Sequence, residues 1–270
     1  MPIHTSNRYK HFINSGRIVY YSIYTKKHYY DFRGIWHNII RHWTDNRHSE
    51  GISTEAKKQK DQIAGWLMNI DKRELRAVNN PIRKIILNGK FSIFNYLLRR
   101  NKLDLGGKEI IEAGCGTGYG LQIINKQYKP SKLYGFDILS KQVNHAKQMV
   151  PSAEIFQGDI TNLQLSSETF DAVLISSVLH HVPQWQEGIG EIYRILKREG
   201  VLLINEINKI ALDLLQRFLG IYHPKDSRFS WQEFQDQLKK TGFRIIDKKI
   251  ILGLLGYFLC LKDSPTRKNM

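Results

Sequence analysis

Residues 110–120 constrain the fold of this chain more than any other stretch. They read Ile-Ile-Glu-Ala-Gly-Cys-Gly-Thr-Gly-Tyr-Gly, an apolar run with an acid, followed by glycines at alternate positions. This pattern predicts a buried strand, a tight turn and a helix that begins near Tyr119. Glycines let the backbone approach a ligand closely, and the N–H groups of a helix N-terminus favour a phosphate or carboxylate. The stretch therefore predicts a ligand-binding loop.

The spacing of these glycines separates the loop from two common nucleotide sites. G-x-G-x-G differs from the G-x-G-x-x-G of dinucleotide sites, and no Lys-Ser or Lys-Thr follows, as a P-loop would require. Glu112 precedes the first glycine, Gly114, by two residues. Its carboxylate therefore ends the strand, where it can accept hydrogen bonds from an amino or hydroxyl group of a ligand.

A regular alternation of strand and helix patterns follows the loop. Apolar strand segments separated by helical segments such as 121–128, 140–149 and 187–197 predict a parallel sheet covered on both faces. The last two strand segments are joined only by residues 252–255, too few for a crossover, and so predict an antiparallel hairpin. The expected fold is α/β: a doubly wound, mostly parallel seven-stranded sheet with a C-terminal antiparallel hairpin, preceded by a mainly helical accessory segment. The predicted strands are 109–113, 132–136, 154–156, 170–176, 200–205, 243–251 and 256–261.

Acidic side chains end the second and third predicted strands as well as the first. Asp137 directly follows the second strand, and Asp159 follows the third after Gln157-Gly158. In an open α/β sheet, ligands bind outside the carboxyl ends of the strands, where a carboxylate suits the hydroxyls of a ribose. One such acid is commonly a helix cap. Three of them at successive strand ends, after the glycine loop, predict a nucleoside-containing cofactor.

These segments together resemble class I S-adenosylmethionine (SAM)-dependent methyltransferases, in the branch of the ubiquinone- and menaquinone-biosynthesis and related type 11 enzymes. The resemblance covers residues 105–262 and implies SAM as the cofactor. It departs from the family at 197–200, where Lys-Arg-Glu-Gly replaces the usual Lys-Pro-Gly-Gly. The cofactor-binding residues that it implies are Glu112, Gly114, Cys115, Gly116 and Gly118 around the methionine moiety, Asp137 and Ile138 at the ribose and adenine, Asp159 and Ile160 at the adenine, and Ser176 beside the methionine end.

His180 and His181 follow the fourth predicted strand and are the candidate catalytic residues. A histidine that faces the methyl group can act as general base for a hydroxyl or an acidic carbon. The alternative is a histidine at a helix start that is hydrogen-bonded to the backbone. Alignment supplies much of the acceleration of an in-line methyl transfer, so activity does not require such a base. Both interpretations stay open.

The positive charge of the chain lies mainly in its N-terminal part. The formal net charge is +16, and residues 1–108 hold 21 Lys and Arg against 8 Asp and Glu. Such an excess of positive charge is compatible with binding to RNA, acidic lipid or an anionic substrate, or with a basic surface that is simply solvated. Residues 1–48 hold six histidines without the spacing of a ligand set, so no metal is predicted. They predict an aromatic arm over the substrate mouth or on a membrane surface.

The sequence predicts neither a signal peptide nor a membrane-spanning segment. The start of the chain lacks the apolar run of a signal peptide, and the longest apolar run, 250–261, is too short for a bilayer. A cytoplasmic location, with peripheral membrane contact as the alternative, is therefore expected, and the oligomeric state stays open. The pattern divides the chain into four segments: a basic, partly mobile arm (1–60), a helical cap on the substrate side (61–104), the SAM-binding domain (105–262, with a candidate lid at 209–223) and a tail (263–270). Apolar residues at helical spacing predict helices within 35–43 and 63–70 and over 85–98, the last with a break near Asn88-Gly89.

The expected activity is methyl transfer from SAM to a small, apolar or amphiphilic acceptor at O, C or N. The segment after the fourth strand reads Ser-Ser-Val-Leu and lacks the [DNS]-P-P-[YFW] typical of exocyclic amine methylation. Neither Cys115 nor Cys260 lies where a cytosine C5 nucleophile is expected. An RNA-modifying enzyme that uses the basic segment is the alternative, and a non-catalytic SAM-fold binding or scaffold protein is a third hypothesis.

Overall fold

A computed structural model of the protein contains two compact units of the chain. They comprise Met1–Asp61 and Gln62–Met270. The apolar helix faces predicted within residues 35–43 and 63–70 lie outside the described residues. The structure describes residues 9–14, 17–22, 82–220 and 223–263.

The described part of the first unit is a β-hairpin. Strand β1 (Tyr9–Asn14) pairs with β2 (Arg17–Ser22) in antiparallel register, with Tyr9 opposite Ser22 and Asn14 opposite Arg17. Only two residues join the strands, the shortest common hairpin connection. The sequence analysis does not predict this hairpin, because the basic and aromatic residues of the stretch show no strict alternation.

A seven-stranded sheet forms the centre of the second unit, in the order β5-β4-β3-β6-β7-β9-β8. Neighbouring strands from β5 to β7 are parallel, whereas β9 is antiparallel to both β7 and β8. The predicted fold class is therefore confirmed, including the C-terminal hairpin. The strands are β3 (Glu109–Ala113), β4 (Lys132–Asp137), β5 (Glu154–Gln157), β6 (Phe170–Ser176), β7 (Leu196–Ile207), β8 (Phe243–Ile251) and β9 (Leu255–Lys262).

The continuous apolar strands follow from the burial of both faces of the sheet. Successive side chains of a strand point to opposite faces. Accordingly, Ile110 and Leu174 belong to one core cluster, while their neighbours Ile111 and Val173 belong to the other. A strand that contributes to two cores needs apolar residues at successive positions, which is the pattern that predicted a parallel sheet.

Six α-helices of the described residues cover the sheet. The predicted break near Asn88-Gly89 is wrong, because α1 continues through it. A Cβ at Gly89 would meet nothing within 4 Å, and burial of Phe91 and Phe94 outweighs the cost of about 1 kcal/mol for one helical glycine. Among the described residues, no helix is both long and apolar enough to cross a bilayer. The helices are α1 (Ile82–Arg100), α2 (Tyr119–Tyr128), α3 (Ser140–Met149), α4 (Trp185–Ile195), α5 (Lys209–Leu219) and α6 (Trp231–Thr241).

The strand order locates the site. From β3 the chain moves outward to β4 and β5, and it then returns to place β6 on the other side of β3. The order therefore reverses between β3 and β6, and the crevice outside the carboxyl ends of these strands is where ligands bind in such sheets.

Candidate functional site

The glycine loop between β3 and α2 has a backbone that requires glycine. The φ angles of Gly114, Gly116 and Gly118 are 66°, 55° and 87°, in the left-handed region that costs other residues about 1–2 kcal/mol each. A Cβ on Gly114 would also lie 2.5 Å from Cγ2 of Val178. The loop is therefore packed directly against the turn that follows β6, and α2 begins immediately after it at Tyr119.

Glu112 ends in a buried carboxylate that lies against the first turn of α2. Its side chain is almost completely buried, and a Cβ on Gly120 would overlap the carboxylate. Gly120 is helical and has an ordinary φ, so close approach, not backbone conformation, is what requires glycine there. The positive end of the helix dipole stabilises a carboxylate in this position.

We expect Gly120→Ala to lower the free energy of unfolding by about 1–3 kcal/mol, because its methyl group would displace Glu112 in a packed interior. Gly190→Ala is the matched control, since Gly190 is also helical and its Cβ would meet nothing within 4 Å. That substitution should instead stabilise the protein by about 0.5–1 kcal/mol through helix propensity. Urea unfolding measures both. Equal changes in the free energy of unfolding for the two substitutions would contradict the close approach of the Glu112 carboxylate to Gly120.

Asp137 connects the end of β4 to the glycine loop. Its Oδ2 accepts the Gly116 N–H at 2.9 Å, and its Oδ1 accepts the Leu139 N–H at 2.9 Å. The Cys115 N–H also donates to the carbonyl of Phe136 at 2.9 Å. Each carboxylate oxygen has a second lone pair, so Asp137 holds the loop and can still accept from a ligand hydroxyl.

Asp159 lies at the same edge of the sheet. Asp137 is opposite Gln157 in the β4–β5 register, so Asp159 follows the end of the neighbouring strand. Its Oδ1 accepts from the Thr161 N–H and hydroxyl at 2.9 and 2.8 Å, which fixes the turn. Ile138 is half-buried, whereas Ile160 is buried in a core cluster. The structure thus brings the three predicted acids to one end of the sheet.

Cys115 is a packing residue within the loop. Its side chain is buried, and burial raises the pKa of the thiol far above its ordinary value. It therefore stays a neutral thiol and is no nucleophile.

Ser176 ends β6 and is contacted by a lysine from α1. Nζ of Lys90 donates to the Ser177 hydroxyl at 2.6 Å and to the Ser176 hydroxyl at 3.4 Å. Ser177 has a φ of 59°, and its N–H donates to the Asn205 carbonyl at 2.8 Å. A cation from the accessory helix therefore lies at the end of β6, which the sequence analysis did not predict.

His180 forms a buried pair with Glu206. His180 lies in a short 3-10 helix, Leu179–His181, and its Nδ1 is 2.6 Å from Oε2 of Glu206. The other carboxylate oxygen, Oε1, accepts the N–H groups of Val178 and Leu179, both at 2.8 Å. The partner of His180 is thus a carboxylate, not the backbone. The same glutamate also fixes the turn that packs against the glycine loop.

Burial controls the ionisation of this pair. Burial lowers the pKa of His180 well below its usual value, and His223 and Lys90 lower it further. Burial also raises the pKa of Glu206, against the opposing effect of the two backbone N–H groups. Both shifts favour the uncharged forms, because burial removes the hydration that stabilises a charged imidazole or carboxylate.

A third histidine reaches the same place from the segment between α5 and α6. His223 is buried, and its ring centroid lies 5.3 Å from that of His180 and 5.2 Å from that of His181. The Ser227 hydroxyl donates to the His180 carbonyl at 2.6 Å, and Arg228 donates to the His223 carbonyl at 2.9 Å. The segment is therefore bound to the turn after β6.

Three residues of the candidate site were not predicted from the sequence: Glu206, Lys90 and His223. Glu206 follows the same rule that found Asp137, a polar residue at the carboxyl end of an apolar strand. It was overlooked because the predicted strand ended at Asn205, whereas β7 continues to Ile207. Lys90 and His223 carry no comparable signal, since each is placed by tertiary packing of a distant segment.

The residues at the carboxyl ends of the strands fit SAM. A loop with three glycines leaves room for close approach of a ligand, and the carboxylates of Glu112, Asp137 and Asp159 suit an amino group, ribose hydroxyls and an adenine amino group. With the reversed strand β9, this arrangement matches the fold of class I SAM-dependent methyltransferases, whose cofactor is SAM. The family model described as a methyltransferase domain matches residues 111–204, so this part of the chain is similar to that family.

Comparisons with known proteins agree with this assignment. The chain is 29% identical over 119 residues to a fatty-acid O-methyltransferase of Mycolicibacterium smegmatis, covering 43% of each protein. It is 26% identical over 184 residues to the ubiquinone/menaquinone biosynthesis C-methyltransferase UbiE of Campylobacter jejuni, covering 57% of this chain and 78% of that protein. A SAM-dependent methyltransferase structure from Mesorhizobium loti shares the fold, with a TM-score of 0.52, 16% identity and coverage of 61% and 95% of the two chains.

The similarity to curated relatives covers only part of their length. The chain spans 61% and 37% of the lengths of two other curated methyltransferase relatives, both mycobacterial. The comparisons therefore support the fold and the methyl donor, and they do not identify the acceptor.

Proposed function

We propose that this protein transfers the methyl group of SAM to a small lipid-like or quinone-like acceptor. The observation that carries the proposal is the position of Asp137. Its carboxylate ends β4, holds the Gly116 N–H of the glycine loop and lies beside the acids that end β3 and β5. One side chain thus links the parts of the site that would hold the ribose and the methionine moiety.

Specific contacts follow for each part of the cofactor. Asp137 and Ile138 would hold the ribose and flank the adenine. The remaining assignments follow the neighbouring strand ends: Glu112, Gly114, Cys115, Gly116 and Gly118 around the methionine moiety, Asp159 and Ile160 at the adenine, and Ser176 beside the methionine end. When bound, SAM supplies a methyl group on a positively charged sulfur, which is electrophilic without further activation.

The chain's own contribution is then mainly alignment and exclusion of water. The loop, the turn after β6 and α1 are connected by Gly114 against Val178 and by Lys90 on Ser177. This connection fixes the direction from which an acceptor reaches the methyl group, and alignment is worth several kcal/mol in a bimolecular transfer. His181, at the end of the same turn and only half-buried, is the candidate to accept a proton from the acceptor.

The helix α5 supports an apolar acceptor. Ile210, Leu214 and Phe218 are spaced by four residues, so they lie on one helix face, and all three are exposed, Phe218 by 72%. The neighbouring Ala211 and Leu212 are buried and anchor the helix. An exposed apolar face next to the segment that carries His223 suits a lid over an acceptor with an alkyl or prenyl chain, and the names of the fatty-acid and quinone relatives agree with such a substrate.

A labelled-methyl assay tests the proposal. The full chain is incubated with SAM carrying a radioactive methyl group and with a long-chain fatty acid, a demethylated quinol, total RNA or no acceptor. We expect label in the solvent-extracted lipid fraction, and no label above background with RNA. Label in RNA would support the RNA-modifying alternative, and SAM binding without product from any acceptor would support a non-catalytic protein.

A substitution on α5 tests the acceptor side separately. Phe218→Asn should raise the KM for an apolar acceptor by about tenfold, because a buried aromatic contact is worth about 1.5–3 kcal/mol, and should leave the affinity for SAM unchanged. Met149→Asn is the control, since Met149 is an exposed apolar residue at the end of α3. Equal KM values for the two variants would remove α5 from the acceptor site.

A further inference from the structure

Three imidazole rings converge beside the turn that follows β6. The ring centroid of His181 lies 4.0 Å from that of His180 and 5.2 Å from that of His223. One nitrogen from each ring can be chosen so that all three lie within 4.8 Å of one another. His180 and His223 are only 3% and 2% exposed. Such clustering of imidazole nitrogen donors is the composition of a metal ligand set.

We propose that His180, His181 and His223 bind one divalent transition-metal ion of the zinc type. Three protein ligands leave a fourth coordination position for water or an oxygen ligand, as in catalytic and not in structural zinc sites. The site lies outside the assigned SAM contacts, and neither the family match nor the relatives imply it. It goes beyond the proposed function, because metal binding does not depend on which acceptor is methylated.

Glu206 provides the outer support that such a site needs. Metal-bound histidines generally donate their second ring N–H to a carboxylate, which fixes the tautomer and orients the ring. Nδ1 of His180 is 2.6 Å from Oε2 of Glu206, which leaves Nε2 as the ligand atom. Because Oε1 is fixed by two backbone N–H groups, the carboxylate cannot rotate away, and His180 is pre-oriented.

The third ligand is also held in place by its surroundings. Ser227 donates to the carbonyls of His180 and Pro224, at 2.6 and 2.9 Å. Arg228 binds the His223 carbonyl and also pairs with Asp213 of α5. A histidine distant in sequence is therefore fixed next to the adjacent pair by contacts with the ligand-bearing turn and with α5.

The geometry requires only a small closure of the rings. Tetrahedral zinc with Zn–N distances of about 2.0–2.1 Å places its nitrogens about 3.3 Å apart. Since one nitrogen of each ring lies within 4.8 Å of the others, the nitrogens must approach one another by up to about 1.5 Å to reach that spacing.

The ligand chemistry selects the class of ion. Three imidazoles suit Zn²⁺, Co²⁺, Ni²⁺ or Cu²⁺, whereas Mg²⁺ and Ca²⁺ require oxygen ligands. Burial lowers the pKa of His180, which favours the neutral form that binds metal. The Lys90 ammonium, which donates to the Ser177 hydroxyl and lowers the pKa of His180, opposes a cation, while the Glu206 carboxylate offsets it. An ion bound through His181 would occupy the lone pair of that imidazole, so metal binding and the general-base role proposed for His181 exclude one another.

Cobalt titration of the untagged full chain tests the site, after chelator treatment and dialysis. Four-coordinate Co²⁺ gives intense visible absorption, so the spectrum reports coordination as well as binding. We expect one equivalent of Co²⁺ with this spectrum, displacement by Zn²⁺, and no displacement by Mg²⁺. These signals do not require methyl transfer, so the failure of the proposed function and the failure of the metal site are distinguishable.

Substitutions identify which histidines bind the ion. His223→Ala should abolish the four-coordinate spectrum while SAM affinity, measured by calorimetry, stays unchanged and reports a folded domain. Glu206→Gln should weaken metal binding by about 10- to 100-fold, as outer-shell substitutions do. His145→Ala is the matched control, because His145 is exposed on α3, and it should bind Co²⁺ like the unmodified chain.

A cysteine in place of His223 gives a positive signal for ligation. His223→Cys should retain Co²⁺ and add the near-ultraviolet thiolate-to-cobalt charge-transfer band. The absence of that band in a variant that binds SAM, or identical cobalt spectra for the unmodified chain and His223→Ala, would overturn the proposal and assign the ion to other histidines. Failure of the unmodified chain to bind Co²⁺ or Zn²⁺ would overturn it as well.

Discussion

Replacing Asp137 with alanine is expected to weaken SAM binding by about 100-fold or more. The substitution removes acceptors for the ribose hydroxyls, and hydrogen bonds to a charged group are worth about 1.5–3 kcal/mol each. It also releases the Gly116 and Leu139 N–H groups, so the glycine loop loses its link to β4. Two lost bonds already correspond to a factor of about 100. Isothermal titration calorimetry with SAM measures the effect.

Two further variants separate cofactor contact from general damage. Asp104→Ala removes another aspartate whose carboxylate fixes a turn, through the Gly106 N–H at 3.0 Å, but it lies in an exposed turn before β3 and should leave SAM affinity unchanged. Asp137→Asn keeps one oxygen acceptor and should give an intermediate loss. If Asp137→Ala bound SAM as tightly as Asp104→Ala, the ribose assignment would be wrong.

The fold was predictable because each strand carries its own signal. Residues 109–113 and 170–176 match β3 and β6 at both ends, since a strand buried on two faces needs a continuous apolar run. The reversal of β9 was predictable from the short connection alone. The start of β7 was not predictable from the sequence. The strand begins at Leu196, four residues before the predicted start, because Leu196 also pairs with Phe170 of β6, across a shift in register that contains the polar residues 197–199.

The candidate site was predictable where its residues are local in sequence. Glu112, Asp137 and Asp159 each end a strand, so one rule places all three at the same sheet edge, and the structure shows them there. Lys90 and His223 contribute through packing of α1 and of the segment before α6, and no local pattern encodes such contacts. The helix break expected at Gly89 failed for the same reason, because tertiary burial overrides local propensity.

Glu206→Ala is expected to lower the free energy of unfolding by about 3–5 kcal/mol, as removal of one member of a buried ionic or charge-assisted pair generally does. Glu206 is completely buried and accepts from Val178, Leu179 and the His180 ring. Alanine leaves these groups without that acceptor and creates a cavity between β7 and the turn after β6. Urea unfolding of metal-free protein measures the loss, which should appear as a lower midpoint with an unchanged slope.

The pairing with His180 can be separated from the rest by a double-mutant cycle. As a control, Glu154→Ala at an exposed glutamate of β5 should change the free energy of unfolding by less than about 0.5 kcal/mol. Glu206→Gln keeps an oxygen for the two backbone N–H groups, so it should cost less than Glu206→Ala. If His180 and Glu206 act as a unit, the loss in the double variant His180→Ala/Glu206→Ala should fall short of the summed single losses by about 0.5–3 kcal/mol. Strict additivity of the two losses would show that Glu206 and the His180 imidazole are not energetically coupled. Glu206 would then stabilise the turn through its contacts with the backbone alone.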